Sequence, residues 1–443
     1  MFCMASNSVS VMRENSRHCL PPMKKFSIVL LMLCVGMSLP MFGTPVDSTH
    51  ASAFNVDSAA QSYIHSLSGE ARAQSDSYFE GGYVLQLVDL VYGFIVAYVF
   101  LRMGLGKQMK RVTQKVANVH LQNLIFAVLY LLLSWVLSFP LSVYSDFFRE
   151  HQYGLSNLNF GRWLMESLQG LGVGIIFTAP MITLLYLALR KAGKHWWIWG
   201  TVGSVAFLMF VSFIGPVFIA PIFNKYEPLE EGPLKREILS MARANSIPAE
   251  NVYKFDASKQ SKRVSANVSG FASTTRISLN DNLLNRCSPA EIKAVMAHEM
   301  GHYVLNHIYK MIVELGVLIV LVFALLNWAL NKLIGARGTR WGIESIRDVA
   351  GLPLLVFVMS VIFFVATPVS NTLIRTQEME ADIFGLNTAR EPDAFAHVAM
   401  LLSEYRKIEP GKWEEIIFFD HPSGKVRVTT AMTWKAEHLN ELK

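Results

Sequence analysis

The sequence is poor in charged residues and in cysteine. Only 17% of its 443 residues are charged, 52% are hydrophobic, and the mean hydropathy is +0.32. This composition is too apolar for an ordinary soluble domain, so we expect a membrane protein. Of the four cysteines (Cys3, Cys19, Cys34 and Cys287), two precede a signal-like segment and one lies within it. They therefore provide no disulfide framework.

The sequence also lacks internal repeats, low-complexity segments and nucleic-acid-binding motifs. Its formal net charge of +6 suits an acidic partner, but the basic residues lie in short loops between apolar runs, without interleaved aromatic residues. We interpret these residues as topology signals and expect no nucleic-acid partner.

Six apolar runs are long enough to span a bilayer as helices. They lie at about 83–104, 121–141, 167–189, 196–219, 311–330 and 349–374. A shorter run at 26–42 follows the basic stretch MKK and resembles a secretory signal peptide. It is either cleaved or retained as a further transmembrane helix, and the sequence leaves both alternatives open.

Lys and Arg are distributed unevenly between the loops. Twelve of them lie near 102–115, 190–194 and 332–347, whereas segments 44–82 and 142–166 together hold three, Arg72, Arg149 and Arg162. Because Lys and Arg concentrate in cytoplasmic loops, we predict that the three basic loops face the cytoplasm. The N-terminal segment 44–82 and the two polar pieces at about 220–310 and 375–443 then lie on the periplasmic side of a bacterial inner membrane.

The stretch VMAHEMGHYVLNH (295–307) places two histidines four residues apart, with a glutamate beside the first. The preceding SPAE (288–291) supplies an N-cap serine, a proline and a capping-box glutamate, which predicts a helix start. His298 and His302 then share one helical face. The H-E-x-x-H pattern is typical of a zinc site, in which Glu299 takes a proton from the attacking water. The alternative is an ordinary helix.

A catalytic zinc needs a third protein ligand. The hairpin of spans at 311–374 returns the chain to the same membrane face, where EMEAD offers Glu378, Glu380 and Asp382. We assign Glu378 to the metal, and expect Asp382, one helical turn later, to orient a ligand imidazole. Glu380 points elsewhere. Taken without the zinc helix, these acids would be a solvated helix face.

Five motifs together resemble the type I CAAX prenyl endopeptidases, which are integral-membrane zinc metallopeptidases. The motifs are FIAPIFNKYEPLEEGPLK, SANVSGF, HEMGH, EMEAD and DHPSGKVR, and the similarity covers about 83–435. The resemblance implies about seven transmembrane helices around a chamber, with a thermolysin-like α+β zinc domain at one end. It also implies one Zn²⁺ held by His298, His302 and Glu378, with Glu299 as general base.

The same resemblance gives roles to three further residues. Asn267 would hydrogen-bond the substrate backbone at an edge strand, while His421 and Arg427 would stabilise the oxyanion or hold the peptide. The alternatives without a catalytic role are a turn residue for Asn267 and a loop residue before proline for His421. His307 matches a further family histidine, and its spacing favours a surface or supporting position over a ligand.

The predicted function is hydrolysis of membrane-associated or lipidated peptides by a membrane zinc metalloendopeptidase. The alternatives are a related quality-control metalloprotease and a zinc-binding transporter, which would need ionisable residues paired across several spans. The predicted divisions are a signal-like or first transmembrane segment (1–43), an extracytoplasmic linker (44–82), transmembrane helices (83–219), the first part of the zinc-protease domain (220–310), a transmembrane hairpin (311–374) and the second part (375–443).

Overall fold

The computed structural model describes residues 54–270 and 275–442. Within these residues, six helices are long and apolar enough to cross a membrane. They contain the six predicted runs, so the predicted multi-span helical architecture is confirmed. The signal-like run at 26–42 lies outside the described residues.

The first half of the described chain is entirely helical. Its helices are α1 (Val56–Ile64), α2 (Gly69–Arg102), α3 (Leu105–Thr113), α4 (Val119–Ser142), α5 (Arg149–Gln152), α6 (Phe160–Lys191), α7 (Trp196–Ile214) and α8 (Ala220–Phe223). The π-helical turns Val143–Phe148 and Gly215–Ile219 join α4 to α5 and α7 to α8. Each of these pairs therefore forms one continuous rod.

The second half combines a small sheet with helices. Its elements are β1 (Tyr226–Pro228), α9 (Pro233–Ala244), β2 (Val252–Phe255), β3 (Ala266–Ser269), β4 (Arg276–Asn280), α10 (Asp281–Arg286), α11 (Pro289–Val304), α12 (His307–Trp341), α13 (Leu352–Ala389), α14 (Pro392–Leu402), α15 (Lys412–Phe418) and α16 (Gly424–Glu437). Helices α12 and α13 are the last two membrane helices, and they interrupt the α+β part.

The four described strands have the order β1-β2-β4-β3. Strands β2 and β4 are parallel, and the other two pairs are antiparallel. Strands β3 and β4, which lie on either side of Gly270 in the sequence, pair with each other and place Asn267 of β3 opposite Ser278 of β4. In the described part of the sheet β3 is therefore an edge strand, where a further extended chain can add.

The sheet and helices α9 and α11 share one hydrophobic core. Ile277 and Leu279 are fully buried on one face of β4, as the two-residue period of a strand allows. They pack with residues of the two helices, namely Ile238, Met241, Ile292, Met296 and Met300. This core holds α11 rigidly against the sheet.

Helix α11 begins where its sequence predicts. The Ser288 hydroxyl accepts from the backbone N–H of Glu291, and the Glu291 carboxylate accepts from the backbone N–H of Ser288. At the other end, Asn306 adopts a left-handed conformation (φ 59°) that separates α11 from α12. The chain therefore changes direction as it enters the membrane hairpin.

Two glycines allow α11 and α13 to approach closely. A Cβ atom on Gly385 would lie 3.0 Å from the backbone nitrogen of His298, and one on Gly301 would lie 3.2 Å from Cα of Ala381. Both distances are shorter than ordinary van der Waals contacts with carbon. Only glycine permits the two backbones to lie this close. The short separation brings the histidines of α11 next to the carboxylates of α13.

The three basic loops meet at one end of the membrane helices. Lys110 of α3 forms an ion pair of 3.0 Å with the buried Asp348, which lies between α12 and α13. The guanidinium of Arg347 lies beside Gly193, between α6 and α7. The residues with the highest density of positive charge therefore share one end of the bundle.

Candidate metal centre

Three predicted ligands converge between α11 and α13. The Nε2 atoms of His298 and His302 are 3.2 Å apart. Each lies 3.4 Å from one carboxylate oxygen of Glu378, Oε2 for His298 and Oε1 for His302. These three residues are the group of possible metal ligands found among the described residues.

The donor set fits a tetrahedral zinc ion. Zinc bonds of about 2.0–2.1 Å at tetrahedral angles require donor atoms roughly 3.3 Å apart, close to the separations given above. In addition, the buried Glu378 Oε2 accepts no hydrogen bond from any described residue. A buried carboxylate oxygen without a donor is unusual, and a cation would satisfy it.

The imidazole of His298 is supported by a buried ion pair. Its Nδ1 lies 2.8 Å from Oδ1 of Asp382, whose side chain is fully buried. Asp382 in turn accepts two hydrogen bonds from Arg427, one of them 2.8 Å long from Nε. This contact fixes the plane of the ring and keeps the Nδ1 proton in place, so that Nε2 faces the other ligands.

The imidazole of His302 has a different support. Its Nδ1 lies 2.9 Å from Nδ1 of the buried His307, and Nε2 of His307 lies 3.0 Å from Glu380. Lys310 pairs with the same carboxylate at 2.5 Å. If His302 Nε2 is to keep a free lone pair, its Nδ1 donates to His307, and His307 Nε2 then donates to Glu380. A carboxylate therefore supports this ligand through a second ring.

Two of the three ligands, His298 and Glu378, border a cavity of about 170 Å³. Its lining includes Glu299, His298, Glu378 and His421. Burial and the negative charge of Glu378 raise the pKa of Glu299 to about 7. A carboxyl group with that pKa can both accept and donate a proton near neutral pH.

His302 remains neutral in these surroundings. Burial and the nearby positive charge of His298 lower the pKa of the His302 imidazole to about 4. Burial also disfavours a charged His298, but the adjacent carboxylates of Asp382 and Glu378 outweigh it and raise the pKa of the His298 imidazole to about 9. The two carboxylates therefore favour positive charge beside His298.

The other predicted residues occupy different surroundings. His421 lines the cavity, with Nε2 3.3 Å from Glu378 and Nδ1 2.7 Å from Asp420. The Arg427 guanidinium lies behind His298, on Asp382, and is 3.9 Å from Glu378. Asn267 lies on β3, while the preceding residues Ser265 and Ala266 form part of the cavity wall.

Sequence reasoning did not identify every residue around the cavity. It did not connect His307 and Glu380 with His302, and it did not single out Arg406 or Tyr405, which line the cavity. The spacing of 302 and 307 does not suggest contact on one helix, because the left-handed Asn306 separates α11 from α12. No local sequence signal marks Arg406.

Two sequence-family descriptions match adjacent parts of the chain. Residues 57–225 match the CAAX prenyl protease N-terminal family, described as five membrane helices, and residues 228–435 match peptidase family M48. The chain belongs to peptidase family M48. It is therefore a membrane metalloprotease, and the predicted resemblance is confirmed.

Relatives from several kingdoms align over much of this M48 peptidase. An uncharacterized metalloprotease of Bacillus subtilis, YhfN, is 26% identical over 78% of this chain and 82% of its own length. A CAAX prenyl protease 1 homolog of Oryza sativa is 24% identical over 88% and 94%. CAAX prenyl protease 1 of Saccharomyces cerevisiae is 36% identical over 46% of this chain and 45% of its own length.

The fold also matches a solved structure. The crystal structure of S. mikatae Ste24p superposes with a TM-score of 0.69, at 21% sequence identity, and the match covers 94% of this chain and 100% of the other. At that identity the match establishes the fold. Together with the sheet of the second half, it confirms the predicted combination of membrane helices and an α+β protease part.

Proposed function

We propose that this M48 peptidase is a zinc metalloendopeptidase that cleaves membrane-associated or lipidated peptides in the cavity beside His298. The observation that carries the proposal is the convergence of His298, His302 and Glu378 at tetrahedral spacing, with Glu299 on the wall of the same cavity. Zn²⁺ bound by these three residues would polarise the scissile carbonyl and acidify the attacking water.

Glu299 acts as the general base and then as the general acid. Its carboxylate accepts a proton from the attacking water and returns that proton to the leaving amine when the peptide bond breaks. A pKa near 7 suits both transfers, because neither protonation state of the carboxyl group is strongly disfavoured.

The remaining site residues hold the reacting groups in position. Asp382 and Arg427 fix His298, so we assign Arg427 a positioning role rather than direct contact with the peptide. His421 faces the cavity from the side of Glu378 and can donate Nε2–H to the oxyanion that develops at the scissile carbonyl. Asn267 lies on an edge strand, where an extended substrate can pair with β3.

The proposed location of the active site is the periplasmic face of a bacterial inner membrane. The basic loops carry Lys110 and Arg347 to one end of the bundle, where they meet Asp348 and Gly193. The positive-inside rule assigns that end to the cytoplasm. The zinc site, at the ends of α12 and α13 remote from those loops, then faces the periplasm.

A periplasmic site affects the class of substrate. Several relatives are named CAAX prenyl proteases, but prenyl groups are attached to proteins in the cytosol. We therefore propose membrane-derived or otherwise lipidated peptides as substrates of this chain. The proposal also accounts for a protease domain interrupted by two membrane helices, since such a domain lies at the lipid surface.

The reaction is tested by Glu299→Gln, which keeps the side-chain shape but removes the base. The purified full-length protein is assayed against a panel of fluorogenic peptides, with and without an acyl chain, and its zinc content is measured in parallel. We expect hydrolysis to disappear while one zinc per chain is retained. Glu250→Gln, at an exposed glutamate, serves as the matched control and should keep full activity.

Either of two results would contradict the proposed reaction. The first is hydrolysis by Glu299→Gln at a rate comparable with the parent. The second is a parent protein that binds zinc but cleaves no peptide, whether acylated or not. The peptides trapped by Glu299→Gln, identified by mass spectrometry, would name the substrate.

The topology is tested by single cysteines placed in a variant whose native cysteines are replaced. Ser240 is exposed on α9 and Thr339 is exposed at the basic end of α12. In bacterial spheroplasts, a membrane-impermeant maleimide should label Ser240→Cys at once and Thr339→Cys only after lysis. The reverse pattern would reject the periplasmic assignment.

A further inference from the structure

Arg406 is a cation on the cavity wall whose guanidinium forms no ion pair in the part of the chain the structure describes. It lines the same cavity as Glu299, His421 and Arg427. Its guanidinium forms no ion pair or hydrogen bond with residues 54–270 or 275–442. Arg427, on the same cavity wall, differs in this respect because it binds Asp382.

The nearest acids, Asp420 and Glu378, attract Arg406 electrostatically but form no ion pair with it. Asp420 accepts from His421 at 2.7 Å, and Glu378 faces the two ligand histidines. Burial and the positive charge of Arg427 lower the pKa of the Arg406 guanidinium from its ordinary value. The Arg406 side chain is partly buried and lacks an ion-pair partner within the described residues, so an anion brought in by a ligand would be attracted to it.

The main chain that carries Arg406 is held firmly. The hydroxyl of Ser75, buried on α2, contacts the carbonyl oxygens of Ser403 at 2.5 Å and of Arg406 at 3.1 Å. The next residue, Lys407, forms ion pairs with Glu80 and with Glu414 in the first turn of α15. The backbone is therefore fixed against α2 while the guanidinium has no protein partner, as expected for a preorganised binding group.

We propose that Arg406 is a subsite for a carboxylate of the peptide substrate, either its C-terminal carboxylate or an Asp or Glu side chain. A guanidinium binds a carboxylate through two parallel hydrogen bonds. At about 170 Å³ the cavity is smaller than a pocket for a drug-sized ligand. The bound carboxylate therefore lies within a few residues of the scissile bond, and it sets where the chain is cut.

This inference rests on the proposed function, because it describes the substrate of the same cavity. Its test measures binding rather than hydrolysis. The protein is the zinc-loaded, full-length Glu299→Gln variant in detergent micelles, with and without Arg406→Met. The probes are blocked, uncharged tetrapeptides with a C-terminal carboxylate or a C-terminal amide, and amides that carry one internal Asp or the matching Asn.

We expect one carboxylate-bearing peptide to bind Arg406-containing protein about 10- to 100-fold more tightly than its neutral counterpart, as measured by calorimetry. In Arg406→Met this preference should fall to within about twofold. Arg236→Met, which removes the same charge from the exposed face of α9, should keep it. Arg406→Lys keeps the positive charge but cannot form the two parallel hydrogen bonds, so it should show an intermediate preference for the carboxylate. This variant provides the comparison if Arg406→Met is unstable.

The outcomes separate the two sources of carboxylate. Preference for the terminal acid assigns the subsite to the C-terminus, and preference for the Asp-containing amide assigns it to a side chain. A carboxylate preference that persists in both Arg406 variants would place the anion on zinc or another group and overturn the proposal. Equal binding of acidic and neutral peptides, at any affinity, would also overturn it. Neither result depends on whether Glu299 supports hydrolysis.

Discussion

Replacing Gly385 by Ala should weaken metal binding even though Ala is the better helix former. Ala stabilises a helix interior by about 0.8–1.0 kcal/mol relative to Gly. At this position, however, the added Cβ would lie 3.0 Å from the backbone nitrogen and 3.1 Å from Cα of His298. Ordinary van der Waals contacts begin roughly 0.5 Å further away. Backbone atoms cannot avoid the added Cβ by changing rotamer, so α13 must shift away from α11 by about that distance.

The displacement is large compared with what a metal site tolerates. Glu378 lies on the same face of α13, two helical turns before Gly385, and ligand distances in zinc sites hold to within about 0.2 Å. We expect overpacking to lower the free energy of unfolding by about 1–3 kcal/mol and zinc affinity to fall about tenfold or more. The assays are thermal unfolding and competition with a chromophoric zinc chelator.

The matched control is Gly335→Ala on α12, where a Cβ would meet no atom within 4 Å. Since only the helix preference changes there, this variant should keep zinc affinity and be at least as stable as the parent. If Gly385→Ala bound zinc as tightly as Gly335→Ala, the close contact of α11 and α13 would not position the ligands, and the reasoning would be refuted.

Three further predictions concern the support of the metal and the metal itself. His307→Ala should weaken zinc binding about 10- to 100-fold in chelator competition, because His302 loses the partner of its Nδ1, whereas unchanged affinity would show that this contact is unimportant. Asp382→Asn should lower the free energy of unfolding by about 3–5 kcal/mol, since Arg427 would keep a buried charge with a neutral partner, and chemical denaturation would measure the loss. Chelation should abolish peptide hydrolysis and added Zn²⁺ should restore it, while hydrolysis that survives complete removal of metal would exclude a metalloprotease.

Much of the fold follows from local physical rules. A long apolar run has few stable alternatives to a membrane-spanning helix, because backbone hydrogen bonds must be satisfied inside lipid. The six predicted runs accordingly lie in six long helices. Likewise, the serine, proline and glutamate at 288–291 have the chemistry of a helix start, and α11 begins there.

The acids after the last span show how far periodicity reaches. Helix α13 continues without interruption from the membrane through Glu378 to Ala389. Positions 378 and 382 therefore share a face, as their spacing predicts, and Glu380 contacts a different histidine. Within a single regular element, sequence spacing is a sufficient guide to which side chains lie together.

Contacts between elements that are distant in the sequence could not be predicted from the sequence alone. The support of His302 by His307 crosses a left-handed residue where helical periodicity ends. The placement of Arg406 depends on a hydroxyl of α2 more than 300 residues earlier. Arg427 pairs with an acid 45 residues away, and no local pattern encodes which acid that is. Such contacts are set by tertiary packing, which a single sequence does not display.

The membrane hairpin between the ligand histidines and Glu378 also determines when the enzyme can first work. A newly made chain presents both imidazoles before α12 and α13 have been synthesised, yet it cannot complete the coordination of zinc until both of these helices have entered the bilayer and the second has emerged. With the proposed ligand set, correct insertion of both helices is a condition for activity, because a chain that fails to integrate would lack the third ligand at the site.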